Sequence, residues 1–162
     1  MVKHIRSRAQ DWENILSPSA LTSTIGTLVN SVAIRLINDI FDMSSMSVTE
    51  AETAAMVISI IEKLDDLFLP KSTGASNALS SSDQAIPLTS QYADQWMKMK
   101  FLSQTLQSNL TDINFLWFES DLSLYFTAQE VIELIELSFE NNPGVRSQIR
   151  QIRESPHPRS VD

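Results

Sequence analysis

Three observations predict an all-α protein, helical hairpins packed as a bundle. Between positions 96 and 117 the apolar residues fall at Met99, Leu102, Leu106, Leu110, Ile113 and Trp117. Steps of three and four along a polar stretch define a helix with one apolar face. The same period returns in at least two other segments, whereas strand-like alternation is confined to Leu122-Ser123-Leu124-Tyr125-Phe126, too isolated to build a sheet. Finally, 162 residues with 43% hydrophobic and 20% charged side chains suit one core of ordinary size.

Residues 1–18 read as an N-terminal lead-in. Lys3, Arg6 and Arg8 run into polar residues around Trp12 with no apolar stretch behind them, so a signal peptide is not expected. The turn signal Ser17-Pro18-Ser19 opens the helical body, 19–153. Its first long helix, about 21–43, places Leu21, Ile25, Leu28, Val32, Leu36 and Ile40 on one stripe, widened by Val29, Ile37 and Phe41. A second helix is expected from Thr49, whose spacing to Glu52 is that of a capping box. Its apolar residues are Met56, Val57, Ile60, Ile61, Leu64, Leu67 and Phe68, and Pro70 ends it by withholding a backbone donor.

From about 70 to 94 the composition turns to Ser, Thr, Gly and Asn, which predicts a flexible linker between hairpins. The third helix is read as 96–119 without a break, with Phe101, Phe115 and Phe118 off its main stripe, as if packed between neighbours. The fourth starts at Thr127, where Thr127 and Glu130 form a capping box and Phe126 and Val131 occupy the staple positions. Val131, Leu134, Ile135 and Phe139 should face inward. Asn142-Pro143 suits the cap and first position of a short last helix with Val145, Ile149 and Ile152 on one face and Arg146, Arg150 and Arg153 on another. Residues 154–162 are expected to be a disordered tail. The core should centre on Leu36, Ile40, Ile60, Leu64, Leu106, Ile113 and Leu134.

Little in this chain points to bond chemistry. There is no cysteine, so disulfides, thiolate catalysis and cysteine-based zinc sites are absent, and a cytoplasmic setting is the expectation. His4 and His157 lie at opposite ends in polar segments, without the supporting shell that a catalytic base or a metal ligand needs. Glu130, Glu133 and Glu136 read as solvated helix charge because no histidine or second carboxylate helix faces them. Gly26, Gly74 and Gly144 form no phosphate loop, and no cofactor is implied. The sequon Asn109-Leu110-Thr111 is expected mid-helix. A net charge of −8 disfavours nucleic acid. The longest apolar run, Met56-Val57-Ile58 and then Ile60-Ile61, falls short of the about 20 residues of a membrane span, so no transmembrane segment is expected.

Protein interaction remains. Aromatic residues and arginine dominate interface hot spots, which makes Trp12, Tyr92, Trp96 and Tyr125, all at helix edges, candidate interface residues together with Arg146 and Arg150. Core or capping roles for the aromatics, and compensation of a helix dipole by the arginines, are the competing readings. The heptad-like stripe from 99 to 117 also admits a self-associating helical structural module.

Taken in order, Asp11-Trp12-Glu13-Asn14-Ile15-Leu16, Val29-Asn30-Ser31-Val32-Ala33 with Ile40, Val48-Thr49-Glu50 and Trp96 set the first half of a pattern. Leu106-Gln107-Ser108-Asn109-Leu110, Ile113, Trp117, Phe126-Thr127-Ala128-Gln129-Glu130-Val131, Leu134-Ile135 and Phe139 complete it. This pattern, over about 12–153, resembles the C-terminal region of the Zeste-white-ten family of kinetochore (centromere) and vesicle-tethering proteins. The resemblance implies the end of a helical rod in a multisubunit tether, with no active site to carry over. It implies a long α-solenoid subunit as partner, with other tether subunits and fusion proteins reached indirectly. The implied role is Golgi-to-endoplasmic-reticulum retrograde transport, peripheral at the endoplasmic reticulum. The alternative is the Rod, Zwilch and Zeste-white kinetochore complex of the spindle checkpoint. The serine-rich stretch 71–88 departs from the family pattern and inherits no role.

Overall fold

The computed structural model describes residues 1–69 and 88–155, and among them every regular element is helical. The elements are α1 (Val2–Glu13), α2 (Pro18–Phe41), α3 (Val48–Glu62), a 3₁₀ turn (Lys63–Phe68), α4 (Thr89–Tyr92), α5 (Trp96–Leu106), α6 (Leu110–Glu119), α7 (Leu122–Tyr125), α8 (Ala128–Ser138) and α9 (Pro143–Glu154). Helix α5 packs against both α2 and α3, α6 packs on α7 and α9, and α8 packs on α9. One continuous apolar core runs through all of them but α4, with Val29, Ala33, Ile58, Leu64, Met99, Leu102, Trp117, Val131 and Ile135 fully buried.

The start of the chain is a helix rather than a lead-in. Helix α1 buries only Ile5 and Ala9, and its docking is completed by Arg6, which donates to the Lys63 carbonyl at 2.8 Å and pairs with Asp66 at 2.8 Å. Ser17 then caps α2 by accepting from the Ala20 N–H, with Pro18 in the first turn, where its missing donor costs nothing. Contrary to the expectation from uninterrupted apolar runs, helix α2 is long and apolar enough to cross a membrane by length and composition alone, its apolar residues being interspersed with Ser, Thr and Asn. In the fold one face of it is buried, with Ile25, Gly26, Val29, Ala33, Ile37 and Ile40 against α1, α4 and α5. Leu36, expected at the centre, is only partly buried.

Three expectations about register are corrected. Helix α3 is capped at Ser47, not Thr49: Ser47 accepts from the Glu50 N–H, and the Glu50 carboxylate accepts from the Ser47 N–H at 2.8 Å. Its buried face is Ala51, Ala55, Ile58 and Ile61, so Ile60, expected in the core, is 44% exposed beside Met56 and Val57. The 96–119 segment is two helices. Asn109 caps α6 by accepting from the Asp112 N–H at 3.0 Å, which breaks the helix while the apolar period continues across the gap. The sequon is therefore at a helix start, not mid-helix.

Elsewhere the local signals hold. Thr127 and Glu130 form the capping box of α8, with Phe126 and Val131 both buried, and Asn142 caps α9 with Pro143 in its first turn. Leu64, Leu106, Ile113 and Leu134 are buried as expected. Of the expected 70–94 linker, 70–87 lies outside the described residues, and the rest includes the short helix α4. Glu154 of the expected tail is the last residue of α9, while 156–162 lies outside the described residues.

The two ends of the undescribed stretch meet. The Leu88 N–H donates to the Phe68 carbonyl at 3.1 Å. Asp65 accepts from the Thr89 hydroxyl at 2.5 Å and pairs with Lys100 at 2.6 Å, and Tyr92 stacks on Phe68 with centroids 6.1 Å apart. Helix α4 lies against Gly26 so closely that a Cβ there would sit 2.6 Å from the Tyr92 carbonyl oxygen.

Candidate protein-interaction surfaces

The six sequence-predicted residues do not converge on one surface. Trp96 is 1% exposed, with Lys100 over its ring at 5.7 Å, so it serves the core rather than an exposed interface. Its position at the start of α5 looked like an edge, but α5 is the helix enclosed by α2 and α3. Tyr125 is partly buried and stacks on Phe101 at 5.1 Å. Tyr92 is 38% exposed and borders an apolar groove with Leu16, Leu21, Ile25, Leu67 and Leu69. Trp12 is half-buried in the last turn of α1.

Arg146 and Arg150 do come together. With Arg153 they line a groove of about 560 Å³ between the end of α8 and the length of α9. Buried Val145 and partly buried Phe139 and Ile149 supply the apolar lining, and Glu136 and Asn141 complete it. Arg150 pairs loosely with Glu154 at 3.6 Å, both side chains largely exposed. The groove is fixed in place because α9 is tied to α6: Gln148 donates to the Leu110 carbonyl at 3.0 Å, and the Trp117 indole N–H donates to the Ser155 carbonyl at 3.2 Å. The arginine spacing was readable in the sequence. The groove was not, since Phe139 and Glu136 reach it only through tertiary packing.

A second exposed apolar feature went unread: Met56 and Ile60, 63% and 44% exposed, with Val57 on the outer side of α3. The acidic row on α8 resolves into separate tasks. Glu130 pairs with Lys98 at 2.5 Å and closes the capping box, and Glu133 accepts from the Gln129 amide. Burial raises the Glu130 pKa, but hydrogen bonds from Lys98 and Thr127 and the Lys98 charge outweigh it, leaving the carboxyl below its ordinary value. Among the described residues no cluster of three or more His, Cys, Asp or Glu side chains is placed to hold a metal ion.

Comparison with known proteins agrees with an all-helical domain. The centromere/kinetochore protein zw10 homolog of Rattus norvegicus is 23% identical over 145 residues, which cover 88% of this chain and 18% of the rat protein. The chain therefore spans less than a fifth of that relative's length. No solved structure matches. The family model for the ZW10 C-terminal helical domain matches residues 1–152, nearly the whole chain. On that match, the chain belongs to the ZW10 C-terminal helical domain family.

Proposed function

We propose that this chain is a non-enzymatic docking module that joins a vesicle-tethering subunit to its long α-solenoid partner in Golgi-to-endoplasmic-reticulum retrograde transport. The family match over residues 1–152 carries this reading. The groove lined by Arg146 and Arg150 is the docking surface that its exposed charge and apolar lining favour, with Trp12, Tyr92 and Tyr125 as further contacts. The module works at the cytoplasmic face of the endoplasmic reticulum, and other tether subunits and fusion proteins are reached through the solenoid. Its mechanism is binding; no bond is made or broken.

A second reading is favoured by the rat relative, named as a centromere/kinetochore protein. In it the same module docks into the kinetochore complex of the spindle checkpoint. Affinity capture with the tagged chain from interphase and mitotic lysates, followed by mass spectrometry, tests both. Recovery of endoplasmic-reticulum tether subunits supports the first reading. Recovery of Rod and Zwilch proteins moves the assignment to the kinetochore, and recovery of neither set overturns both.

A further inference from the structure

The arginine row of α9 is poorly explained by helix stability. A cation in the last turn complements the helix dipole, and Arg153 fits that role. Arg146 does not: it follows Pro143, Gly144 and Val145 at the start of the helix, where cations are disfavoured and acids favoured, and the first turn contains no acid. Nor do the arginines form strong pairs among the described residues. Among the described residues Arg150 has only the exposed 3.6 Å contact with Glu154, although the chain as a whole carries eight more negative than positive charges.

All three guanidinium-bearing side chains border a recess with Phe139, Val145 and Ile149, and among the described residues the only acidic one lining it is Glu136. A planar guanidinium suits bidentate contact with a carboxylate, and such pairs gain most beside an apolar surface that excludes water. We infer that the α8–α9 groove binds an acidic, amphipathic segment of a partner protein, its apolar side chains against Phe139 and Ile149 and its carboxylates on Arg146, Arg150 and Arg153. This deepens, and rests on, the assignment of Arg146 and Arg150 as docking residues.

A membrane suits the site less well. The apolar residues are recessed between two helices, which a bilayer surface cannot enter, and an overall charge of −8 opposes approach to anionic lipid. A segment carrying apolar anchors every three or four residues with acids between them matches both the shape and the charge.

The test uses a fluorescein-labelled synthetic 20-residue peptide with leucine at alternating three- and four-residue steps and glutamate elsewhere. A matched peptide carries glutamine in place of glutamate. The whole chain is expected to bind the glutamate peptide at least ten-fold more tightly than the glutamine peptide, and the Arg146→Glu/Arg150→Glu variant to lose at least ten-fold. Both side chains are exposed, so the variant's melting midpoint should match the parent's. Equal affinity for the two peptides, or an unaltered variant, overturns the inference. So does binding to phosphatidylserine vesicles without binding to peptide, or a chain mass that rises with concentration because a second copy fills the groove. The same variant in the lysate capture separates the two claims. Loss of tether subunits with no effect on peptide binding sinks the acidic-segment inference and leaves the docking site standing. Retention of every tether subunit, with peptide binding lost, does the reverse.

Discussion

The Lys98 ammonium lies 2.5 Å from the Glu130 carboxylate and 5.0 Å from the centre of the Phe126 ring, so one cation joins α5 to the first turn of α8. Both charged side chains are less than a third exposed. Because the folded-state pKa of Glu130 is below its ordinary value, the pair's stabilisation is complete above the ordinary glutamate value, about pH 4.3, and is lost as pH falls through the lower folded value. Glu130→Gln keeps a capping side chain but removes the charge, and should cost about 1 kcal/mol at pH 7. Urea titrations of parent and variant from pH 7 to pH 3 should show the gap closing on the acid side. A gap that stays constant would locate the loss elsewhere.

Ile58 and Ile60 differ by two positions and by nearly everything else: the first is fully buried and the second 44% exposed. Ile58→Ala should cost about 2 to 5 kcal/mol, whereas Ile60→Ala should stay within about 1 kcal/mol. Leu106→Ala, on the buried face of α5, belongs with Ile58 at about 2 to 5 kcal/mol. Melting midpoints of the two α3 variants decide its phase, and equal losses at 58 and 60 would refute it; an unchanged midpoint for Leu106→Ala would remove Leu106 from the core.

Gly26→Ala is expected to destabilise although alanine is the better helix former by about 1 kcal/mol. The new Cβ would stand 2.5 Å from the Tyr92 Cβ and 2.6 Å from its carbonyl oxygen, and backbone cannot step aside as a flexible side chain can. A net loss of about 1 to 3 kcal/mol is the expected result of such overpacking. A variant that melts higher than the parent would mean that α4 does not hold this position.

Ser47→Ala should cost about 1 kcal/mol, the ordinary value of an N-cap, while Thr49→Ala, one residue inside the exposed start of the helix, should change little. Circular dichroism with thermal melting distinguishes the two, and the opposite order would restore Thr49 as the cap.

These contrasts show where the sequence was legible. Thr127 with Glu130 and Asn142 with Pro143 are local rules: cap, spacing and first helical residue lie within four positions, so they can be read without the tertiary packing. Helix α3 is different because Met56, Val57, Ile58, Ile60 and Ile61 make it apolar on almost every side. Periodicity then cannot choose a face, and small Ala51 and Ala55, which allow close approach to α5, were outweighed by larger side chains. Helix α1 escaped notice because much of what holds it is non-local, the contacts of Arg6 with Lys63 and Asp66. The candidate surface divides in the same way: Arg146 and Arg150 follow from spacing along one helix, while the recess beside them needs α8.

The hydrogen bond from Leu88 to the Phe68 carbonyl gives the fold a doorway that opens and closes at one place. Chain that departs after residue 69 returns at residue 88 against the same carbonyl, and Asp65 and Tyr92 hold the frame from both sides. The separation of residues 69 and 88 is set from within the bundle, by contacts of Asp65, Phe68, Thr89 and Tyr92. Two small labels, one at residue 69 and one at residue 88, would therefore stay close together for as long as this end of the bundle is folded, a local gauge of its opening.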